Sequence, residues 1–147
     1  MRIPGLRLSD LVDVYEDYDP LHDYFLNVET GEVIFTSEFD PSQFAEVKEE
    51  IEEGFGETFI RLPRTDSDEG YRDMVEFAES IDSRLLRNRL ERALDGRQPF
   101  RRFKDVLLDF PDERERWFTF QRACNQERVR EWLAENDIET DTEADIE

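Results

Sequence analysis

One stretch of the chain combines basic and aromatic side chains at a spacing that suits anion binding. The basic block, residues 84–104, holds eight Arg or Lys residues and two acids, a net charge of +6, while the other 126 residues carry −26. Within it, residues 96–104 read GRQPFRRFK, and Phe100 and Phe103 lie three apart, on one face of a helix. Guanidinium groups bind phosphate and carboxylate bidentately, and a helix N-terminus also favours anions. The basic block is therefore a candidate binding surface.

The candidate binding residues come from this block and from one tryptophan beside two further arginines. They are Arg97, Phe100, Arg101, Arg102, Phe103, Lys104 and Trp117. A structural interpretation stays open, in which the phenylalanines are core residues and the arginines pair with the protein's own carboxylates or are solvated. Two helices with a short turn between them also permit a comparison with the helix-turn-helix motif. A net charge of −20 slows approach to DNA, so nucleic acid is not the favoured partner.

The remaining reactive residues do not form a recognisable catalytic or metal motif. With 39 acids, pairs of carboxylates occur at any spacing and identify no catalyst. The chain has one histidine, His22, and one cysteine, Cys124, and nothing in the sequence specifies the oxyanion donor and orienting partner that a catalytic Cys-His pair needs. No Cys/His set has zinc-ligand spacing. The segment DSDEG at 66–70 resembles a calcium loop, but Phe77 occupies the position of its last ligand, so we interpret it as a helix cap. We predict no catalytic residue, cofactor or metal.

The net charge of −20, with 17 Arg and only two Lys, has three explanations. Dense carboxylates suit a cytoplasm full of salt, where screening weakens self-repulsion. The acids could instead form a surface for a basic partner, or imitate the phosphates of DNA. No run of 18 apolar residues and no secretory leader occurs, and one cysteine cannot form an internal disulfide, so we expect a cytoplasmic protein without membrane contact.

Strand and hairpin signals are confined to the first half of the chain. A short helix capped by Ser9 is expected first, and the alternation in residues 24–28 followed by a Glu-Thr-Gly-Glu turn and residues 33–35 predicts a hairpin. Asp40-Pro41 is expected to open a helix that Gly54 and Gly56 end, and TFIRLP at 58–63 predicts a third strand.

The second half is predicted to be all helical. Asp66 and Asp82 are expected to cap two helices, the second ending at Gly96, and Pro99 and Pro111 are expected to begin two more. We predict one α+β domain over residues 1–138, a small antiparallel sheet of about three strands packed against several helices, and a disordered acidic tail over 139–147.

Six segments in this order resemble an uncharacterised bacterial protein family, number one hundred and fifty-eight in the UPF series of uncharacterised protein families. They are Tyr24–Val33, Ile60–Pro63, Met74–Phe77, Gly96–Leu107, Trp117–Phe120 and Glu131–Leu133. The resemblance spans about Tyr24 to Ile138 and implies no activity, cofactor or catalytic residue. Two positions depart from it: Gln98-Pro99 replaces small residues, and Asn136-Asp137 stands where glycine commonly ends the last helix, which the left-handed tolerance of Asn and Asp permits.

The leading hypothesis from the sequence is a non-enzymatic binding or regulatory module. Its basic, Phe/Arg-rich helical surface would contact an acidic protein or a phosphate-bearing ligand. The alternatives are an enzyme of unrecognised class that acts on a small anionic substrate, and a nucleic-acid binder or acidic DNA mimic. A deep pocket with convergent polar groups would favour the enzyme, and two rows of carboxylates at phosphate-like spacing would favour the mimic.

Overall fold

The computed structural model describes residues 1–39 and 41–141. Within them, a three-stranded antiparallel sheet in the order β2-β1-β3 accompanies six helices, which confirms the predicted α+β class. The elements are α1 (Leu8–Tyr15), β1 (His22–Asn27), β2 (Val33–Ser37), α2 (Ala45–Gly54), β3 (Phe59–Arg61), α3 (Ser67–Glu79), α4 (Arg84–Leu94), α5 (Pro99–Leu107) and α6 (Pro111–Glu135).

The chain groups into two compact units. Unit 1 comprises residues 1–65 and 125–147, and unit 2 comprises residues 66–124. Unit 1 contains the sheet, α1, α2 and the last part of α6, while unit 2 contains α3, α4, α5 and the first part of α6. That the whole of residues 1–138 forms one domain stays a prediction.

Strand alternation in unit 1 gives the sheet two different faces. Leu26 is fully buried on one face, where it joins the apolar residues of α1 and of the end of α6, including Val12 and Val129. Its neighbour Phe25 points to the opposite face, because successive side chains of a strand alternate. On that second face lies the pocket that Ile51 of α2 helps to line. The hairpin register pairs Tyr24 of β1 with residue 35 of β2, as the predicted turn requires.

Unit 2 is built around an aromatic cluster. Trp117 packs edge-on against Phe77 and Phe103, with ring centroids 5.3 and 4.9 Å apart. Phe120 lies 5.6 Å from Phe77 and extends the cluster. Such edge-to-face contacts add about 0.5–1.5 kcal/mol each beyond the area they bury. The hydrophobic core of this unit therefore depends on rings from three different helices.

Several predicted helix boundaries are confirmed, and three predicted helix starts are corrected. Asp66 caps α3 through its Oδ1, which accepts the Glu69 N–H at 2.8 Å, and Pro99 and Pro111 begin α5 and α6 as expected. The predicted Asp82 cap is wrong by one residue, because the Ser83 hydroxyl accepts the N–H of Leu86. Ser9 lies inside α1, and α1 begins after residue 7 without a side-chain cap.

The helix predicted after the hairpin starts later than expected. It begins at Ala45, with Phe44 at the cap position and no side-chain hydrogen bond there. Residues 41–44 form a turn instead. The proposed cap at Asp40 lies outside the described residues. The helix ends at Gly54, as predicted.

The last helix ends as its sequence predicts. Asp137 adopts a left-handed φ of 57°, and the Ile138 N–H bonds to the Leu133 carbonyl at 2.9 Å. This is the hydrogen-bond pattern of a Schellman cap, which also buries Ile138 in the core of unit 1. Aspartate thus takes the role that glycine commonly has at this position.

The predicted acidic tail began at residue 139, and its first residues are hydrogen-bonded to the N-terminal segment. The Ile3 N–H donates to the Glu139 carbonyl at 3.1 Å, and Asp141 accepts the Gly5 N–H and forms an ion pair with Arg2 at 3.0 Å. Residues 142–147, the rest of the predicted tail, lie outside the described residues. Across the part of the chain that is described, none of the helices has the length and apolar character needed to cross a membrane.

Candidate anion-binding surface

Helix α4 separates an apolar face from a basic one. Leu86, Leu90 and Leu94 follow one another at four-residue intervals, and all three are buried. This spacing aligns them on one side of the helix, so its arginines lie on the remaining surface. The Ser83 cap and the apolar stripe therefore fix which residues of α4 face solvent.

Helix α5 places the predicted site residues in two different environments. Phe103 and Trp117 are buried core residues, with 0% and 2% of their surface exposed, and Phe100 is half-buried against the same core. The cations of this helix and the turn before it, Arg97, Arg101, Arg102 and Lys104, are exposed. The structure thus brings the aromatic members into the core and the basic members to the surface. The exposed part of the candidate binding surface consequently consists of cations without the buried rings.

Most cations of the basic block have no partner in the part of the chain that the structure describes. Arg89 forms an ion pair with Asp109 at 3.2 Å, and Arg87 donates to the Ile81 carbonyl at 3.5 Å. The other six make no ion pair and no side-chain hydrogen bond with any described residue: Arg84, Arg92, Arg97, Arg101, Arg102 and Lys104. These positions fit the structural interpretation of the block, because Phe103 is a core residue, Arg89 pairs with a carboxylate of the chain, and the other six cations are exposed to solvent. That the block binds a partner stays a prediction.

A cleft of about 320 Å³ lies between α4 and α5. Three guanidinium groups line it, those of Arg89, Arg92 and Arg102, together with the carboxylate of Asp105. Arg89 also stacks over the ring of Phe110, with 5.4 Å between the guanidinium carbon and the ring centroid, which orients its planar group. The cleft therefore has a positive lining with a single opposing charge.

The turn between α4 and α5 makes room for one of these guanidinium groups. Gly96 lacks a Cβ, and a methyl group added there would overlap the terminal nitrogen of Arg102. Gln98, the residue before Pro99, adopts a left-handed φ of 52°. At Gln98-Pro99 the sequence departs from the small residues that the family resemblance leads us to expect. In the structure, Gln98 is the left-handed turn residue and Pro99 takes the first position of α5, where its missing N–H is not needed.

A second cluster of polar side chains, in unit 1, was not expected from the sequence. One carboxylate oxygen of Asp17 accepts from the Tyr24 hydroxyl at 2.6 Å and contacts His22 Nδ1 at 2.7 Å. The other oxygen accepts the Asp19 N–H at 2.9 Å and lies 3.6 Å from an Arg64 nitrogen. Arg64 also donates to the carbonyl oxygens of Asp17, Asp19 and His22. We call these five residues the Asp17 cluster.

The Asp17 cluster shifts the pKa of two of its members in opposite directions. Burial by itself would raise the pKa of Asp17, but hydrogen bonds from Tyr24, Asp19 and His22 stabilise the carboxylate and lower its pKa to about 2. Burial and the hydrogen bond to the Asp17 carboxylate raise the pKa of Tyr24 to about 12. Asp17 is therefore an anion and Tyr24 is neutral across the ordinary pH range.

The geometry of the Asp17 cluster suits a structural role. Both carboxylate oxygens of Asp17 already have partners, so neither is free to take a proton from a substrate. Arg64 ties the segment after β3 to the loop between α1 and β1. Local sequence reasoning missed this cluster because Arg64 is 42 residues from His22. Among residues 1–39 and 41–141, no three His, Cys, Asp or Glu side chains are placed to hold a metal ion.

Comparison with known proteins places this chain in a family without an assigned activity. The profile of UPF0158, described as an uncharacterised protein family, matches residues 2–147. The UPF0158 protein PA5073 of Pseudomonas aeruginosa is 25% identical over 117 residues, which cover 80% of this chain and 74% of the relative. No solved structure matches the chain. The match over nearly the whole length agrees with the six segments seen in the sequence, and the chain belongs to the uncharacterised protein family UPF0158.

Proposed function

We propose that the protein is a non-enzymatic binding module that holds a phosphate-bearing ligand on the basic surface of α4 and α5. The observation that carries the proposal is a set of six exposed cations that have no partner among the described residues, although the chain has twice as many acids as bases. Glu91 and Asp95 belong to the same stretch, yet neither is within ion-pair distance of these cations. Cations that stay unpaired beside carboxylates are free to bind an anion from solution.

The cleft between α4 and α5 supports a small ligand. Its volume of about 320 Å³ is at the lower end of the range for small-molecule sites. Arg92 and Arg102 line it without a partner, and each guanidinium can donate two parallel hydrogen bonds to a phosphate group. Arg89 is already paired with Asp109 and adds positive charge to the wall.

Two features favour a small anion over a nucleic acid. The buried positions of Phe103 and Trp117 remove the rings that would stack on unpaired bases. The net charge of −20 repels a polyanion at distances where a single phosphate is only weakly affected. Both features concern the partner's size and charge, and both point to a ligand with one or two phosphate groups.

Calorimetric titration with pyrophosphate at constant ionic strength tests the proposal. The wild type is expected to bind, and the double variant Arg92→Gln, Arg102→Gln is expected to lose at least tenfold in affinity, because each charged hydrogen bond contributes about 1.5–3 kcal/mol. The matched control is Arg97→Gln, Lys104→Gln, which removes the same charge from the same block but leaves the cleft lining unchanged.

The outcomes separate a specific cleft from a general charge effect. Retained binding in the control variant and its loss in the cleft variant would support the proposed site. Equal losses in both variants would mean that the overall field of the block binds the anion. If the wild type binds neither pyrophosphate nor inorganic phosphate, and neither raises its unfolding temperature, the proposed function is wrong.

A further inference from the structure

A second pocket, in unit 1, has a different lining and lies between α2 and the face of the sheet to which Phe25 points. Its volume is about 490 Å³. The apolar part of the lining consists of Phe25, Ile51 and Phe55, of which Phe25 and Ile51 are almost completely buried and Phe55 is 58% exposed. An apolar lining of this size suits the body of a small ligand. We call this space the α2 pocket.

One hydroxyl that lines the α2 pocket has no hydrogen-bond partner among the described residues. Thr36 is only 2% exposed, lines the pocket, and its side chain makes no hydrogen bond with any described residue. Its neighbour across the strands, Asp23, forms an ion pair with Arg61 at 3.1 Å instead. A ligand atom in the pocket could form a hydrogen bond with this hydroxyl.

The charges around the α2 pocket favour a cation. Its two basic residues are already occupied, Lys48 by Glu38 at 2.6 Å and Arg61 by Asp23. Glu52 is exposed on the pocket rim and has no partner among the described residues. The lining therefore carries three carboxylates against two neutralised cations, and the carboxylate of Glu52 is the one left for a ligand.

The net charge of unit 1 as a whole also favours a cation in the α2 pocket. Unit 1 contains 25 Asp or Glu residues and seven Arg or Lys residues, a net charge of −18. A negative field of this kind raises the local concentration of cations and lowers that of anions. The pocket thus has an apolar lining, one unpaired hydroxyl and one unpaired carboxylate within a strongly negative unit.

From these observations we infer that the α2 pocket binds a small amphipathic amine, with its apolar body on Phe25, Ile51 and Phe55 and its ammonium group at Glu52. The same ammonium group, which has three N–H donors, also donates a hydrogen bond to the Thr36 hydroxyl. This site is separate from the proposed phosphate site in unit 2, and it takes a ligand of opposite charge. The two sites can therefore be tested independently.

Three probes with one ring and different charges test the inference: 2-phenylethylamine, 2-phenylethanol and phenylacetate. They are titrated into the full ¹⁵N-labelled chain, and binding is followed by the amide shifts of Thr36, Ile51 and their neighbours. The amine is expected to bind at least tenfold more tightly than the alcohol, because only the amine forms a charged hydrogen bond with Glu52. Phenylacetate is expected to bind most weakly.

Single substitutions test how much Glu52 and Thr36 contribute to the affinity for the amine. Glu52→Gln should bring the affinity for the amine to within about twofold of that for the alcohol, whereas Glu50→Gln, an exposed change on the same helix, should leave the ratio unchanged. Thr36→Val keeps the side-chain shape and removes the hydroxyl, so it should weaken binding severalfold.

Several results would overturn the inference. Absence of amide shifts with millimolar amine, equal affinity for all three probes, or shifts confined to residues outside the α2 pocket would each exclude an amine site there. An unchanged amine preference in Glu52→Gln would show that the general negative field, and not this carboxylate, selects the ligand.

Discussion

The two units of this protein differ in how they use charge. Unit 1 carries a net charge of −18, whereas unit 2, with 14 acids and 12 bases, carries −2. In unit 1 both carboxylate oxygens of the half-buried Asp17 have partners, while in unit 2 six exposed cations have none among the described residues. The net charge of the whole chain is therefore an average over two units with very different charge balances.

This difference bears on the explanation of the acidity. Adaptation to a high-salt cytoplasm would act on the exposed surface of both units alike. The asymmetry shows that unit 2 departs from the rest of the chain, and the basic block of α4 and α5 is the reason. Salt adaptation stays a prediction for unit 1, and it does not account for the cations of unit 2.

The cores differ as well. Unit 1 is held mainly by aliphatic side chains around Leu26, and unit 2 by rings around Trp117. Each unit contains one tryptophan, the buried Trp117 in unit 2 and the half-buried Trp132 in unit 1. Fluorescence of single-tryptophan variants can therefore follow the two units separately in the intact chain.

The largest effect is expected from Trp117→Ala, which tests whether the aromatic cluster carries the stability of unit 2. Removal of a fully buried ring system should cost about 3–5 kcal/mol, measured by urea unfolding followed by circular dichroism. Trp117→Phe should cost much less, because it keeps a ring and removes a buried indole N–H that has no partner. The matched control Phe118→Ala, at a half-exposed ring on the same helix, should change stability little. A similar loss in both alanine variants would contradict the aromatic core.

The next effect concerns acid stability in unit 1. The pKa of Asp17 is about 2 in the folded protein, compared with the value of 3.8 for an unperturbed aspartate, which we take for the unfolded chain. The stability that Asp17 contributes is therefore present above pH 4 and is lost as the pH falls towards 2. The amount is about 2 kcal/mol. Urea midpoints of Trp117→Phe between pH 2 and 6, read from Trp132, should show this decline.

Two variants test whether Asp17 and its hydrogen bond from Tyr24 cause this loss of stability in acid. Asp17→Asn should be less stable at pH 6 and should lose this part of the pH dependence, and Tyr24→Phe should bring the pKa of Asp17 closer to its ordinary value because it removes one hydrogen bond. Glu32→Gln, an exposed change in the hairpin turn, is the control. The signal of Trp117 is read in the Trp132→Phe variant, and a decline in step with the Trp132 signal would mean that the acid transition is not confined to unit 1.

A smaller effect is expected at the start of α4. Ser83→Ala should cost about 1 kcal/mol in urea unfolding of unit 2, because the N–H of Leu86 loses its cap. The adjacent change Asp82→Ala should have little effect, since Asp82 does not cap the helix. A larger loss of stability in Asp82→Ala than in Ser83→Ala would show that Asp82 caps the helix, as the sequence predicts.

The smallest expected effect is the difference in salt response between the units. Raising the salt concentration from 0.01 to 1 M shortens the screening length from about 30 to about 3 Å. This weakens the repulsion among the excess carboxylates of unit 1, whereas unit 2 is close to neutral and has little such repulsion. Unit 1 should gain about 0.5 kcal/mol more than unit 2, a value typical of one exposed charge interaction. The measurement compares Trp117→Phe with Trp132→Phe. Equal gains in both would remove the charge asymmetry as a source of stability.

Local signals in the sequence determined the order of elements and several of their ends. The hairpin turn before Val33, the Asp66 cap, Pro99, Pro111 and the left-handed end of α6 near Asp137 were predicted because each depends on backbone preferences within a few residues. The Ser83 cap was missed by one position because two adjacent residues, Asp82 and Ser83, are both good caps.

The sequence by itself also located the basic block, since charge is additive along the chain and needs no fold to be counted. Only the tertiary structure decided that Trp117 is core, that Arg92 and Arg102 line one cleft, and that Arg64 completes the Asp17 cluster. The physical reason is that burial and hydrogen-bond pairing depend on which residues meet across dozens of positions, and periodicity shows only that a face is apolar, not what covers it.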